Sequence, residues 1–241
     1  MKLTVEPMVS LILPIYNERD IIPRLLKEWD NEFKKRKIPY TFIACEDGST
    51  DGTTELLVSL KKKYPLLLWS QKTRRGYGKA VLEGIAHASS EYILFIDSDG
   101  QCDPRDFYSF WSARQEADII SGWRVHRADT QQRKIFSLMF KMVFIFLFPT
   151  RLHDPSAPYV FGKTVTIRRL VNELHFLNEG FWWGFIGACK KHKLSIKELP
   201  IHHRLRKSGI TKVYVTRNIL SIAVRNIYGL FRLWAAKPHV L

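Results

Sequence analysis

Short apolar runs alternate along the first half of this 241-residue chain with stretches whose apolar residues recur every three or four positions. Val9-Ser10-Leu11-Ile12-Leu13-Pro14 is the first run. It is short, β-prone and without a polar face, which predicts a strand buried on both sides. Ile22, Leu25, Leu26, Trp29 and Phe33 follow at helical spacing, the pattern of an amphipathic helix. The same logic predicts strand 40–45, then a helix running to about residue 63 with Leu56, Leu57 and Leu60 inward. Strand 66–69, helix 78–88 and strand 92–96 complete this half. Strands separated by helices at this spacing imply right-handed crossovers and a parallel sheet, hence an α/β fold.

The second half is less regular. Residues 118–121 read as a further strand leading to Gly122-Trp123-Arg124. A basic and aromatic helix is expected over 131–148, then a loop over 153–159. Val160-Phe161 is a candidate to re-enter the sheet, 194–200 reads as a late strand, and a long helix starts near residue 216. No repeat or low-complexity segment interrupts the chain.

The strand ends hold the candidate chemistry. The run 92–96 stops at Asp97-Ser98-Asp99-Gly100-Gln101. Carboxylates at the carboxyl edge of an open sheet sit where such folds bind ligands. They suit a hard divalent cation, and the cation suits a diphosphate. Taken alone, the tip reads equally well as an Asp that ends a strand and caps a turn. Two more tips fall on the same edge: Pro14-Ile15-Tyr16-Asn17-Glu18 and Glu46-Asp47-Gly48-Ser49-Thr50-Asp51-Gly52-Thr53. A ring, an amide and carboxylates there can grip a nucleoside by stacking and hydrogen bonding. Turn and cap propensity explains any one tip well and explains three acidic tips on one edge poorly. Arg74-Arg75-Gly76-Tyr77-Gly78-Lys79-Ala80 opens a helix with glycines and could cradle a phosphate, but it is neither a P-loop nor a dinucleotide fingerprint.

Charge sharpens the picture. The net charge is +15, from 38 basic against 23 acidic residues, which favours a polyanion: nucleic acid, an anionic lipid headgroup or a phosphorylated substrate. Three cysteines, Cys45, Cys102 and Cys189, form neither a disulfide framework nor a zinc spacing, so a reducing compartment is expected. The opening residues do not read as a signal peptide, so none is expected, and within these residues no segment reaches the ~20 apolar residues of a spanning helix. The greasy stretch 135–148 is broken by Lys141, and 219–236 carries Arg225 and Arg232. On a wheel of the last helix, Arg217, Asn218, Ser221, Arg225, Gly229 and Arg232 share an arc of roughly 120°. Ile219, Leu220, Ile222, Val224, Ile227, Leu230, Phe231, Leu233 and Trp234 cover the rest. With 136–148 apolar almost all round behind Gln131-Gln132-Arg133-Lys134, the two helices predict a hydrophobic platform with a cationic rim lying in a membrane surface. Two core helices are the alternative.

Taken together, Pro-x-Tyr-Asn-Glu, Asp-Gly-Ser-x-Asp-Gly-Thr and Asp-x-Asp-x-Gln resemble, in order and spacing, the family two inverting glycosyltransferases of GT-A fold. Within that family the chain looks most like dolichyl-phosphate mannose synthases and bacterial polyprenyl-phosphate glycosyltransferases, over about residues 9–214. The resemblance implies a Rossmann-like, mostly parallel sheet flanked by helices, with amphipathic membrane-surface helices in the C-terminal half. It divides the chain into a GT-A domain over 1–215, including the interfacial helix 131–148, and an amphipathic helix over 216–241. Position by position it implies that Pro14, Tyr16 and Glu18 contact the donor nucleotide and Asp47 holds the base or ribose. Asp97 then meets the ribose and diphosphate side, with Ser98 beside it, and Asp99 and Gln101 ligate Mg²⁺ or Mn²⁺. Arg124, in Ser-Gly-x-Arg, reaches the donor diphosphate or the acceptor phosphate, while Arg206 and Lys212, in Arg-x-x-Gly-x-x-Lys, close over the diphosphate. Asp97, Asp99, Arg124 and Arg206 are the implied catalytic set. Glu46 stands where the family often has Asp, and Thr211 where Ser is usual, which leaves the nucleotide open.

The activity so implied moves a hexose, mannose or glucose, from a nucleotide diphosphate sugar such as GDP-mannose to a polyprenyl or dolichyl phosphate. The expected partners are that donor, the lipid acceptor, a membrane surface and a membrane anchor subunit, and the expected place is the cytoplasmic face of a membrane, peripherally. A phosphate acceptor needs no general base, since its second pKa is about 6; a hydroxyl acceptor does. Asp154 and Glu179 are the base candidates in the hydroxyl case, and Asp154-Pro155-Ser156 matches a loop of the polyprenyl-phosphate branch, placing Asp154 and Ser156 on the acceptor side. For Asp154 an ordinary turn before Pro155 is an equal reading. Transfer to a sugar hydroxyl therefore stays open. A nucleic-acid-binding protein is the reading of another class; it rests on charge alone and leaves the acidic tips unexplained, so no nucleic-acid partner is expected.

Overall fold

Val9–Ile15 forms β1, and every residue in it is buried, as an apolar run without a polar face requires. The computed structural model describes residues 9–125, 131–177, 180–204 and 219–236, and side chains within these except 131–136 and 219–221. The other strands among them are β2 (Tyr40–Glu46), β3 (Leu66–Ser70), β4 (Tyr92–Phe95), β5 (Ile119–Arg124), β6 (Val160–Lys163) and β7 (Ile196–Ile201). They form one sheet in the order β3-β2-β1-β4-β6-β5-β7. The pairs β1/β2, β2/β3, β1/β4 and β5/β7 are parallel. β6 runs antiparallel to both β4 and β5. The sheet is thus mostly parallel, and Val160–Lys163 enters it as the reversed strand.

Helices cover both faces. On one face α1 (Ile22–Arg36) and α4 (Phe107–Ser112) bring Ile22, Leu25, Leu26, Trp29, Phe33, Phe107 and Phe110 against Leu11, Leu13 and Ile15. Pro23 sits in the first turn of α1, where a missing N–H is harmless, and Lys37 ends it in a left-handed conformation. On the other face lie α3 (Tyr77–His87), α5 (Gln131–Leu147), α6 (Thr164–Leu170) and α7 (Phe181–Lys191). They pack Val81, Ile85, Phe144, Ile167, Phe181 and Phe185 against Ile12, Ile43, Ile93 and Phe95. Gly84 lets α3 press onto the sheet, since a Cβ there would fall 2.4 Å from Ile12 Cγ2. Helix α2 (Thr53–Leu60) follows β2.

Several expectations shift. The helix after β2 ends at Leu60 rather than near residue 63; Leu57 is buried, while Leu56 and Leu60 are half-buried. Helices α4, α6 and α7 have no counterpart in the sequence reading. Eight of the eleven residues of α7, FWWGFIGACKK, are buried and apolar or small, so no one-sided periodicity marks them. The last helix, α8 (Ile219–Ala235), packs on α5 and α7. Its expected start near residue 216 lies outside the described residues. All three cysteines are buried, and burial pushes each thiol well above its ordinary range. That fits inert core packing rather than redox chemistry.

Candidate functional site

Parallel strands leave the sheet with all their carboxyl ends on one edge, and that edge is where the three acidic tips meet. Ile15 of β1 lies beside Glu46 of β2. Beyond that pair, Ser49 Oγ accepts from Asn17 N at 2.9 Å, Asn17 Oδ1 accepts from Thr50 N at 2.7 Å, and Thr53 Oγ1 accepts from Glu18 N at 3.1 Å. Asn17 takes a positive φ of 54° in making this seam, a conformation Asn tolerates better than most residues. From β4, Ser98 Oγ donates to Pro14 O at 2.7 Å. Ser98 is buried, so its hydroxyl joins β4's tip to β1's.

The acidic tip of β2 holds the loop before α3. Asp47 Oδ1 accepts from Arg75 N at 2.7 Å and Oδ2 from Gly76 N at 2.8 Å. Glu46 Oε2 accepts from Ser70 Oγ at 2.6 Å, and Oε1 accepts from Ser49 N. Gly48, at φ +73°, lies where a Cβ would meet the backbone of Thr73 and Arg74 at 2.7 Å, so the turn and that loop touch through bare backbone. The Arg74 guanidinium then covers the Tyr16 ring, 4.2 Å from its centroid. The glycine-rich loop of 74–80 is therefore built into this edge by Asp47.

At β4's end, Asp97 lies within electrostatic reach of Asp99, Glu18 and Arg124. Burial and the Asp99 carboxylate push its carboxyl up to about 7. Tyr77 Oη donates to Asp97 Oδ1 at 2.8 Å, and Trp182 Nε1 donates to Tyr77 Oη at 2.8 Å. Asp99 Oδ1 accepts from Gln101 N at 3.0 Å. Gln101 Nε2 donates to Arg204 O at 2.9 Å, and Gln101 O accepts from Arg204 N at 2.8 Å. Arg204 in turn pairs with Glu28 at 2.6 Å and with Asp103 at 3.0 Å, and the guanidinium groups of Arg105 and Arg204 hold the Asp103 carboxyl well below the usual carboxylate range.

Arg124 ends β5 and is largely buried. Its Nε donates to Asp154 Oδ2 at 2.7 Å and its Nη2 to Asp154 Oδ1 at 3.0 Å, a bidentate pair. Ser156 Oγ accepts from Arg124 Nη2 at 2.9 Å and donates to Asp154 Oδ1 at 2.7 Å. Glu198 of β7 fixes the loop by accepting from His153 N and Asp154 N at 2.8 and 2.9 Å. A cavity of about 160 Å³ opens here, lined by Trp123, Arg124, Lys141, Asp154, Ser156 and Trp183 among others. Helix α5 forms its wall, and the outer side of α5 exposes Leu138, Met139, Met142, Ile145 and Phe146. Val224, Ile227, Tyr228, Phe231 and Trp234 are exposed on α8, while Ile222, Leu230 and Leu233 face inward. Among the described residues no helix is long and apolar enough to cross a membrane.

The structure thus gathers Pro14, Tyr16, Glu18, Asp47, Asp97, Ser98, Asp99, Gln101 and Arg124 on one sheet edge, with Asp154 and Ser156 on Arg124. Arg206, Lys212 and Glu179 lie outside the described residues. Tyr77, Trp182 and Arg204 were not anticipated. Tyr77, the first residue of α3, lies in the glycine-rich segment read as a phosphate cradle flanking the donor site, with no role of its own, and Trp182 has no local signal.

An electrostatic consequence is testable at Asp97. An unfolded Asp ionises near about 3.9, whereas the folded carboxyl is raised to about 7. The metal-free protein therefore loses stability as pH rises from about 4 through 7. Asp97→Asn removes this loss. For a partly exposed group the gain at pH 8 is on the order of 2 kcal/mol, or roughly 4–8 °C in Tm. Melting curves in a chelator at pH 4.5 and pH 8 should show the variant ahead at the higher pH only.

Residues 10–183 match glycosyl transferase family 2. Dodecaprenyl-phosphate galacturonate synthase of Rhizobium johnstonii is 27% identical over 99% of this chain and 74% of its own length. Dolichyl-phosphate beta-glucosyltransferase of Dictyostelium discoideum is 25% identical over 93% of this chain and 76% of its own. An undecaprenyl-phosphate 4-deoxy-4-formamido-L-arabinose transferase of Yersinia enterocolitica is 30% identical over 56% of this chain, which spans only 42% of that relative. Glucosyl-3-phosphoglycerate synthase of Mycobacterium tuberculosis, solved with Mn²⁺, UDP-glucose and phosphoglyceric acid, superposes over 97% of this chain and 81% of its own with a TM-score of 0.70 at 15% identity. Mannosyl-3-phosphoglycerate synthase of Rubrobacter xylanophilus does so over 94% and 73% with a TM-score of 0.71 at 15% identity. These structures share the GT-A fold of the sheet described above. With the match spanning most of the sheet and all three acidic tips, the chain belongs to glycosyl transferase family 2.

Proposed function

We propose that this chain moves a hexose from a nucleotide diphosphate sugar to a polyprenyl phosphate at a membrane surface, with inversion and with a divalent cation. One observation carries the reading: the acidic edge at Asp97 and Asp99 adjoins the Arg124 cavity, whose wall is a helix with an apolar outer side. Donor chemistry, an anion-binding cationic pocket and a lipid-compatible surface follow one another across a single edge. The relatives named for polyprenyl and dolichyl phosphates support the acceptor class.

The residues fit a divalent cation. Burial, and after it the neighbouring Asp99 carboxylate, make the Asp97 carboxyl resist ionising, and two carboxylates side by side there mark a place short of positive charge. Among the described residues no cluster of three or more His, Cys, Asp or Glu side chains stands ready for a metal. A small oxygen foothold suits Mg²⁺ or Mn²⁺, which take remaining ligands from phosphate and water. Asp99 and the amide oxygen of Gln101 would hold it, since the Gln101 amide nitrogen already serves Arg204. Bound there, the ion supplies Lewis-acid stabilisation of a departing diphosphate.

The protein's own groups do the rest. Tyr16, Glu18 and Asp47 border the nucleotide, and Asp97 meets the ribose and diphosphate. An acceptor phosphate oxygen attacks the anomeric carbon as the bond to the donor diphosphate breaks, and that electron pair leaves on the diphosphate oxygen. Arg124, held flat by Asp154 and Ser156, presents fixed positive charge to the phosphate groups. Arg206 and Lys212 add to it on the strength of their motif. No proton need be removed from the acceptor near neutral pH.

A panel of GDP-, UDP- and dTDP-sugars against a short polyprenyl phosphate, with Mn²⁺ or Mg²⁺, tests the reading and identifies nucleotide and sugar. Transfer to free glycan hydroxyls with none to the lipid phosphate would overturn it. Membrane docking has its own measurement. The chain should float with anionic phosphatidylglycerol vesicles, and Phe146→Glu with Trp234→Glu should reduce the bound fraction at least about tenfold, because buried apolar area drives interfacial binding. Equal flotation of wild type and variant would remove the membrane surface from the proposal.

A further inference from the structure

We propose that Tyr77 and Trp182 are positioning residues that fix the Asp97 carboxylate for the donor, acting in series. The inference rests on the reading of the site given above and adds two residues to it. Indole N–H is a donor only, so Trp182 donates a hydrogen bond to Tyr77 Oη across 2.8 Å. The phenol oxygen is then the acceptor on that side, and its own proton points the other way, to Asp97 Oδ1 at 2.8 Å. The polarity of the chain is therefore set by chemistry: Trp182 to Tyr77 to Asp97. One carboxylate oxygen is committed; among the described residues no hydrogen bond reaches the other, Oδ2, which we assign to the donor.

Each link is anchored. The Trp182 ring is nearly buried and stands edge-on to Phe95, Phe181 and Phe185 at 5.2, 5.2 and 5.7 Å between centroids. Phe95 is two residues before Asp97 on the same chain, so indole and carboxylate share one support. Tyr77 opens α3 immediately after Gly76, whose N–H is held by Asp47. The segment 75–77 thus bridges two acidic tips, Asp47 through backbone N–H groups and Asp97 through a phenol. Groups placed one shell behind reacting residues typically change affinity or rate by 10–100-fold when lost.

The test is calorimetric binding of Mn²⁺ with UDP, with GDP and with dTDP, each separately, to the full chain, alongside melting curves. Tyr77→Phe should weaken the nucleotide that wild type binds by about 10–100-fold. Trp182→Phe should weaken it less, about 3–10-fold, and the double variant should bind no worse than Tyr77→Phe. That ceiling follows from a serial chain, because Trp182→Phe keeps an aromatic ring against Phe95 and removes only the N–H that reaches the phenol; independent losses would multiply. Binding by Tyr77→Phe within twofold of wild type, or a double variant whose loss is the product of the single losses, overturns the inference. Should Tyr77→Phe fail to fold, unchanged binding by a folded Trp182→Phe does the same. Asp97→Asn separates this from the site itself. If Asp97→Asn binds as wild type does, or wild type binds none of the three nucleotides with Mn²⁺, the donor-site reading falls and the inference with it. If Asp97→Asn loses binding and Tyr77→Phe does not, only the positioning role falls.

Discussion

Asp99→Ala abolishes transfer, with a fall of at least about 10³-fold at saturating donor, while the protein melts as a folded domain. Losing one preorganised electrostatic group at a developing charge costs about 10²–10³ in kcat. Asp99 is proposed to hold a cation as well, so the loss should lie at or beyond the upper end. The fold should survive. The Asp99 side chain accepts a local hydrogen bond from Gln101 N, and its removal also relieves the crowding on Asp97. Transfer to a lipid phosphate and Mn²⁺ affinity should fall together. Unimpaired transfer by Asp99→Ala would remove the metal from the mechanism.

The second large effect is at Arg124. Arg124→Lys keeps the charge but cannot reproduce the fork that grips Asp154 through Nε and Nη2. Turnover should drop about 10²-fold, and stability by about 1–3 kcal/mol, because the largely buried Asp154 loses charge-assisted bonds. Asp154→Asn should be milder, about tenfold, since Arg124 remains and Asn can still accept one of its bonds. The ranking decides the acceptor. Asp154 already receives Arg124 and Ser156, which describes a residue that aims an arginine. A general base would behave otherwise: Asp154→Asn would abolish turnover with donor binding intact. Steady-state kinetics of both variants on one donor separates the two roles.

Much of this architecture was readable in advance, and the reasons are local. β1, β2 and β4 are buried on both faces, so their apolar runs and acidic ends stood out without structural help. Helix α1 presents a clean apolar stripe and was legible for the same reason. Helix α7 was not, because it is enclosed by α5, α6 and α8 and carries apolar or small residues on nearly every side. The reversal of β6 also escaped notice: a four-residue strand has no pattern that tells its direction. In the site, the motif positions were legible as types but not as partnerships. Ser98 serves Pro14, Asp47 serves the loop at 75–76, and Asp154 serves Arg124. Such pairings join residues 28 to 84 positions apart, and linear spacing does not encode them. The apolar character of α5 and α8 is legible in the sequence, but which side faces out depends on how α8 lies against α5 and α7.

The three enclosed thiols have a practical corollary. Maleimide and nitroxide reagents attack thiolates, and none of the native sulfurs presents one at the surface. A single Phe146→Cys or Met142→Cys replacement on the outer side of α5 would accept a probe selectively, with no need to strip the natural residues first. Spin-label depth measurements on nanodiscs could then report whether that helix enters the bilayer surface at all, and to what depth, in a protein whose packing is otherwise untouched.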